Sequence, residues 1–325
     1  MENILKILGF VIISLLIQLV IATVLIVTGK SKNLNCDNNK LKFDELYIDY
    51  SNIPQLKPFK ARDGQEIFYR EYESNSDKNL ILIHGSAWHS QYFMSLAESI
   101  SKNNVARVFT PDLRGHGKMT ETRGDIKYIN QYEDDLADFV EVIKNQYPNS
   151  KVIIGGHSSG GGLVIRFAGS RYYKEADAYL LLAPFIKYNA STVRKNSGGW
   201  AHPYTRRIAG LSMLNTLGIH WLDFLPAIEF NMPKEARDST ETLVYSHRLN
   251  TGYAPRNYKK DLARIQVPLI VIAGLEDESF ISEQFEPLVT QYTEADVKLI
   301  PETTHMGVVT GQEVQGILKK WINAI

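Results

Sequence analysis

The chain has 325 residues, 36 Lys+Arg against 36 Asp+Glu, 44% hydrophobic residues and a single cysteine. Zero formal charge gives no long-range field to gather phosphate backbones, so nucleic acid is not an expected partner, and the ordinary apolar fraction excludes disorder. The lone Cys36 excludes an intramolecular disulfide and a cysteine-built zinc site, and no metal or other cofactor is expected.

The average conceals an uneven N-terminus. From Ile7 to Val27 there is no charged residue, only scattered Ser, Gln and Thr among Leu, Ile, Val and Phe. At about 1.5 Å per residue a helix of this length spans roughly 30 Å, the hydrocarbon thickness of a bilayer. Each large apolar residue favours insertion by about 0.3–0.6 kcal/mol, and Ser14 and Gln18 oppose it far less than a central charge would. Residues 1–30 are therefore read as a single-pass N-terminal transmembrane anchor, with the lipid bilayer as partner through residues 7–27. The competing reading is a cleaved signal peptide and a secreted or periplasmic protein. A signal's apolar region is usually about 7–15 residues, however, and only Val27-Thr28-Gly29 resembles a cleavage site. Lys30, Lys32, Lys40 and Lys42 outnumber Lys6, which by the positive-inside bias favours a cytoplasmic C-terminal domain. Residues 31–56, rich in Asn, Lys and Asp and without a sustained period, are expected to form a tether.

Residues 57–325 alternate strands and helices. Glu66–Tyr72 alternates as a half-buried strand behind the Asp63-Gly64 turn signal. Short, nearly continuous apolar runs follow at Leu80–Ile83, Ala106–Thr110, Val152–Ile154, Tyr179–Leu182, Leu269–Ala273 and Val297–Ile300, as expected for strands buried on both faces. Between them lie helical stretches such as Tyr132–Tyr147, where Leu136, Phe139, Val140 and Ile143 recur at three- and four-residue steps. This rhythm predicts an α/β fold with a mostly parallel central sheet flanked by helices. Between Pro184 and Pro268 the rhythm stops, and the aromatic-rich stretch at about 185–265 is read as a helical lid inserted into the domain.

The chemistry gathers at strand ends. Gly156-His157-Ser158-Ser159-Gly160 sits between a buried strand and an apolar helix, the setting that makes G-x-S-x-G a nucleophile elbow. Gly156 and Gly160 leave room for close backbone approach, Ser158 is lifted to the apex, and the amide of Ser159 opens a helix where it can donate to an oxyanion. Ser159 is the rival nucleophile, and His157 reads as a hydrogen-bonded core residue. Serine needs a base and an orienting acid. The loop Leu275–Ser279 offers Asp277, with Glu276 as second choice, and the loop Glu302–Gly307 offers His305. The chain order serine, acid, histidine is that of the nucleophile-elbow hydrolases. His84-Gly85-Ser86 closes an earlier strand. Gly85 lets the backbone turn, the amide of Ser86 is the expected second oxyanion donor, and His84 braces the loop.

Together, His84-Gly85, Asp112-Leu113-Arg114-Gly115-His116-Gly117, Gly156–Gly161, Asp277 and His305 resemble the α/β-hydrolase superfamily. The D-L-R-G-H-G segment and the elbow are similar to those of the monoacylglycerol lipase and lysophospholipase branch, of serine aminopeptidase S33 type. That resemblance covers about Phe59 to the last residue and implies an α/β-hydrolase fold. It also implies a membrane-anchored serine ester hydrolase with Ser158, His305 and Asp277 as nucleophile, base and acid, acting through an acyl-enzyme on monoacylglycerol or lysophospholipid. Arg114 and His116 would brace the loop beside the elbow. A small-molecule or lipid ester is thus the expected substrate. Two other classes stay open: a peptidase, thioesterase or C–C hydrolase of the same fold, and a non-catalytic membrane-tethered interaction protein. A peptidase would use a lid carboxylate to read a substrate amine, for which Asp223, Glu229, Glu235 and Asp238 are candidates.

Overall fold

The structure is a computed structural model that describes residues 1–29, 40–194 and 198–325; Lys30, Lys32 and Cys36 lie outside the described residues. Its strands are β1 (Lys57–Lys60), β2 (Glu66–Tyr72), β3 (Lys78–Ile83), β4 (Arg107–Pro111), β5 (Lys151–His157), β6 (Ala178–Leu182), β7 (Ala201–Pro203), β8 (Pro226–Phe230), β9 (Val244–Ser246), β10 (Leu269–Gly274) and β11 (Asp296–Ile300). Eight of them form one sheet in the order β1-β2-β4-β3-β5-β6-β10-β11. β1 and β2 make an antiparallel hairpin whose turn is closed by Gly64 at φ 83°, and β2 pairs antiparallel with β4. The other six strands are parallel. β6 and β10 are buried along their whole length, which is why their sequences read as unbroken apolar runs.

The helices are α1 (Glu2–Thr28), α2 (Met94–Ser101), α3 (Gln131–Gln146), α4 (Ser159–Ala168), α5 (Thr205–Thr216), α6 (His247–Tyr253), α7 (Tyr258–Leu262), α8 (Phe285–Val289), α9 (Gly307–Thr310) and α10 (Gln312–Ala324). α3 buries Leu136, Phe139, Val140 and Ile143, the periodic residues of its sequence, and packs against α4; α2 packs with α9 and α10. Because β3 has β4 on one side and β5 on the other, the strand order reverses at β3. The crevice at the carboxyl ends of β3 and β5 is the place where such sheets form their sites.

Two expectations change. The insertion between β6 and β10 is mixed rather than purely helical: β7, β8 and β9 form a small antiparallel sheet beside α5, with α6 and α7 following. The stretch 31–56 is not a free tether over its described part. Leu41, Phe43 and Leu46 are buried in the core, Phe43–Leu46 forms a short 3-10 turn, and the Tyr50 hydroxyl donates to Leu46 O at 2.7 Å. Its polar composition hid an apolar residue at each point of contact.

α1 is long and apolar enough to cross a membrane, and most of its surface is exposed. Its last turns dock on the lid. Ala22 and Ile26 pack with Leu211 and Leu214 of α5, and Gln18 donates to Met213 O and Thr216 Oγ1. The approach is close enough that a Cβ on Gly210 would lie 2.6 Å from Ala22 O.

Candidate active site

Ser158 stands between β5 and α4 with φ 54° and ψ −119°, a conformation that L-residues avoid at a cost of about 1–3 kcal/mol. The surroundings impose it. Ser158 N–H donates to Leu182 O at 2.9 Å, while its carbonyl accepts from the amides of Gly162 and Phe185. The flanking glycines are sterically required: a Cβ on Gly156 would lie 2.4 Å from the Gly160 carbonyl, and one on Gly160 would lie 2.2 Å from Ile83 O. Strand and helix can meet at this angle only with hydrogen at both positions.

The loops after β10 and β11 bring Asp277 and His305 together although 27 residues separate them in sequence. Asp277 Oδ1 accepts from the amides of Ser279 and Phe280, both at 2.8 Å, which leaves Oδ2 to accept from His305 Nδ1 at 2.8 Å. Both residues are almost completely buried. Glu276, the second choice as acid, is exposed to solvent. The His305 ring lies between His157, at a centroid distance of 4.7 Å, and Phe280 at 5.2 Å, and the His305 amide donates to Glu278 Oε2. Burial opposes protonation of His305, but the charge and hydrogen bond of Asp277, helped by Glu278, outweigh it and hold the imidazole pKa above its ordinary value. Ser158 and His305 line the same small cavity, and no direct hydrogen bond joins Ser158 Oγ to the ring among the described residues. With Nδ1 fixed by Asp277, Nε2 is the ring atom free to exchange a proton.

The loop after β3 is held by three tyrosines that sequence reasoning did not single out. Gly85 N–H donates to the Tyr92 hydroxyl at 2.6 Å, Ala87 N–H to the Tyr245 hydroxyl at 2.7 Å, and Tyr253 donates to His84 O. Of three successive amides, the outer two are engaged and that of Ser86 has no protein acceptor among the described residues. Ala87 is held at φ 70° by this arrangement. Ser86 Oγ lies 3.0 Å from Ser159 Oγ, so the two expected oxyanion residues meet across the site. The tyrosine clamps leave only a weak signal in the sequence, since tyrosines scattered from position 92 to 253 carry no spacing.

The buried histidines brace these loops. His84 Nδ1–H donates to Gly85 O and Nε2 accepts from Leu113 N–H, a pairing of the neutral ring; burial pulls its pKa down to about 4. His116 accepts from Tyr245 at 2.6 Å, and Arg114 pairs with Asp135 and Asp63, so neither faces the cavity by Ser158. His157 joins two parts of the site: Tyr92 donates to its Nδ1, and its Nε2–H donates to His305 O at 3.1 Å. Burial keeps it neutral, with its pKa well below the ordinary value.

Two lobes open beside Ser158. The larger, about 70 Å³, is lined by Ser86, Ser158 and Ser159 and by apolar lid residues including Trp200, Ile228 and Phe230. The smaller, about 20 Å³, contains His305. Among the described residues no Asp, Glu, Lys or Arg lines either lobe. Asp223 instead pairs with Asn215 and His220, Glu229 accepts from Tyr204, and Asp238 binds Thr240.

An elbow serine at the switch point of a mostly parallel eight-stranded sheet, with an Asp–His pair on the last two strand-end loops, defines the α/β-hydrolase fold. Residues 74–308 match the family model described as Serine aminopeptidase, S33, and the chain belongs to that family, within its monoacylglycerol lipase branch. It is 30% identical over 152 residues to the monoglyceride lipase of Rattus norvegicus, covering 45% of this chain and 48% of that protein. It is 32% identical over 210 residues to a monoglyceride lipase homolog of Monkeypox virus, covering 62% and 71%. The chain spans about half the length of the mammalian and mycobacterial lipases it matches. Among solved structures, a soluble variant of monoglyceride lipase from Saccharomyces cerevisiae in complex with a substrate analog superposes with a TM-score of 0.63 at 19% identity, over 86% of this chain and 97% of that one.

Proposed function

We propose that the protein is a membrane-anchored serine hydrolase that cleaves single-chain lipid esters, monoacylglycerol before lysophospholipid, through an acyl-enzyme. The observation that carries this reading is the strained Ser158 sharing a cavity with His305, whose other ring nitrogen is held by the buried Asp277. Ser158 Oγ attacks the ester carbonyl carbon as its proton passes to His305 Nε2. The carbonyl oxygen becomes an oxyanion held by the amides of Ser86 and Ser159, an interaction worth about 3–4 kcal/mol per donor in such sites. Collapse breaks the bond to the alcohol oxygen, which takes the proton from His305. Water then attacks the acyl carbon, gives its proton to His305, and releases the acid as Ser158 Oγ is reprotonated.

Two features support a neutral lipid ester over a peptide amine. The lid side of the site is apolar, and among the described residues no candidate amine-reading carboxylate lines it: Asp223, Glu229 and Asp238 are turned to other partners and Glu235 is exposed to solvent. The names of the relatives point the same way. Retention of α1 as an anchor is supported by its packing, since removing it would uncover Leu211 and Leu214 of the lid. A fluorophosphonate probe tests the chemistry: wild type labels with one equivalent, and equal labelling of Ser158→Ala would overturn the assignment. Hydrolysis of a panel of monoacylglycerols, lysophospholipids and aminoacyl amides tests the substrate class, with Ser158→Ala as the blank. A preference for the amides would favour the peptidase reading.

A further inference from the structure

The smaller lobe beside Ser158 has a wall that comes from outside the family-matched residues 74–308. Leu41, Phe43 and Leu46, between the apolar helix and the first strand, are buried at 8%, 4% and 1% exposure and line this lobe together with Ser158 and His305. Phe43 is wedged between Trp88 at 6.2 Å and Trp200 at 5.3 Å, and Trp200 also borders the larger lobe, so it partitions the two. The segment is fastened to the histidine loop: Glu45 Oε2 accepts from Thr304 Oγ1 at 2.5 Å, and Thr304 Oγ1 accepts from Gly307 N–H at 2.9 Å, on either side of His305. With these side chains in place, about 20 Å³ remains, the room of roughly one water.

The position of this lobe assigns its occupant. In ester cleavage the imidazole that took the serine proton must reach the departing alcohol oxygen, so the alcohol lies on the His305 side of Ser158. The lobe that contains His305 receives the alcohol, and the lid-lined lobe without it receives the acyl chain. We infer that the juxtamembrane segment Leu41–Leu46 is the specificity-determining wall of the alcohol side, selecting esters whose leaving alcohol is small and uncharged over those that release a glycerophosphodiester. Size and charge act together here. A six-heavy-atom glycerol already requires the wall to yield, a phosphodiester requires much more, and no Lys or Arg among the described lining residues meets a phosphate. The inference deepens the proposed function, on which it rests, by naming the segment that discriminates among its substrates.

The test holds the acyl chain constant and varies the alcohol: methyl decanoate, 1-decanoylglycerol and decanoyl-lysophosphatidylcholine, each as monomers, with active sites counted by fluorophosphonate labelling. Wild type is expected to show kcat/KM falling in that order. In Phe43→Ala and Leu41→Ala the ratios of glycerol to methyl ester and of lysophospholipid to glycerol ester should rise about tenfold. Phe43→Leu, a milder truncation that preserves an apolar core, should move them a few fold in the same direction. Ratios unchanged within twofold, or a parallel loss on all three esters, would overturn the inference while leaving the enzyme an esterase. Absence of any Ser158-dependent hydrolysis in wild type would instead remove the proposed function and this inference with it.

Discussion

The chemical floor of the site and its cover are built by different means. The floor is a set of strand-end loops pinned by backbone geometry and buried polar bonds: Ser158 at φ 54°, Asp277 gripped by two amides, and the loop of Ser86 clamped by three tyrosines. The cover is apolar and composite, with Trp200, Ile228 and Phe230 from the insertion, Phe43 from the segment between α1 and β1, and α1 against α5. Hydrogen bonds between buried groups are directional and leave little freedom, so the floor is held in one arrangement. Apolar contacts specify volume rather than direction, so the cover can change which substrate enters without altering the chemistry below it.

The comparison is most sharply tested at the floor. Ser158→Ala should lower kcat by about 10⁴–10⁶-fold, and Asp277→Asn by about 10⁴-fold with little change in KM, measured by hydrolysis of a short soluble ester. A loss under tenfold in either would mean that the pinned geometry is not the catalytic one. Next in size is Tyr245→Phe, which strands the Ala87 amide and His116 Nε2 in the interior. A buried polar group left unpaired costs about 1–3 kcal/mol. We expect a lower Tm and roughly a tenfold fall in kcat/KM that is the same for every ester, whereas a substrate-selective effect would place Tyr245 with the cover.

The pH profile sharpens the same point. His305 must be neutral to accept the serine proton, and its pKa is raised, so the acid limb of kcat/KM should lie above the ordinary imidazole value of about 6.5. The residual activity of Asp277→Asn should have its limb at lower pH, because removing the carboxylate charge leaves burial to disfavour the imidazolium. For stability the signs of two histidines differ. His305, with its folded pKa raised, stabilises the fold below the unfolded pKa, and that contribution is lost as pH rises through the folded value. His84, with its folded pKa lowered to about 4, opposes folding once the unfolded ring protonates, so stability should fall between about pH 6.5 and pH 4, by up to about 3 kcal/mol, in denaturant titrations. The smallest effect belongs to the outer cover. Trp221 and Phe224 are exposed beside α5, and Trp221→Ser with Phe224→Ser should lower activity on vesicle-presented ester severalfold while leaving soluble esters unchanged. Equal loss on both would mean that these residues shape the site instead of meeting lipid.

The elbow, the Asp–His order and the six parallel strands were legible because each rests on a local rule. Glycines at 156 and 160 are demanded by atoms a few residues away or in the adjacent strand, and the inner parallel strands read as apolar runs because both faces are covered. β11, at the sheet edge, was found as a strand but is only partly buried, with Lys298 exposed, against the expectation of burial on both faces. The three tyrosine clamps, the small sheet within the insertion, and the burial of Leu41, Phe43 and Leu46 were not legible. Most join residues separated by tens to hundreds of positions, as in Ala87 with Tyr245 or Glu45 with Thr304, and no periodicity links such partners. The linear chain thus determined which atoms could do chemistry and in what order they occur, because strained turns and strand ends are encoded by neighbours. Only the folded chain decided what walls stand around those atoms, because apolar surfaces choose their partners by shape after the sheet has brought them together.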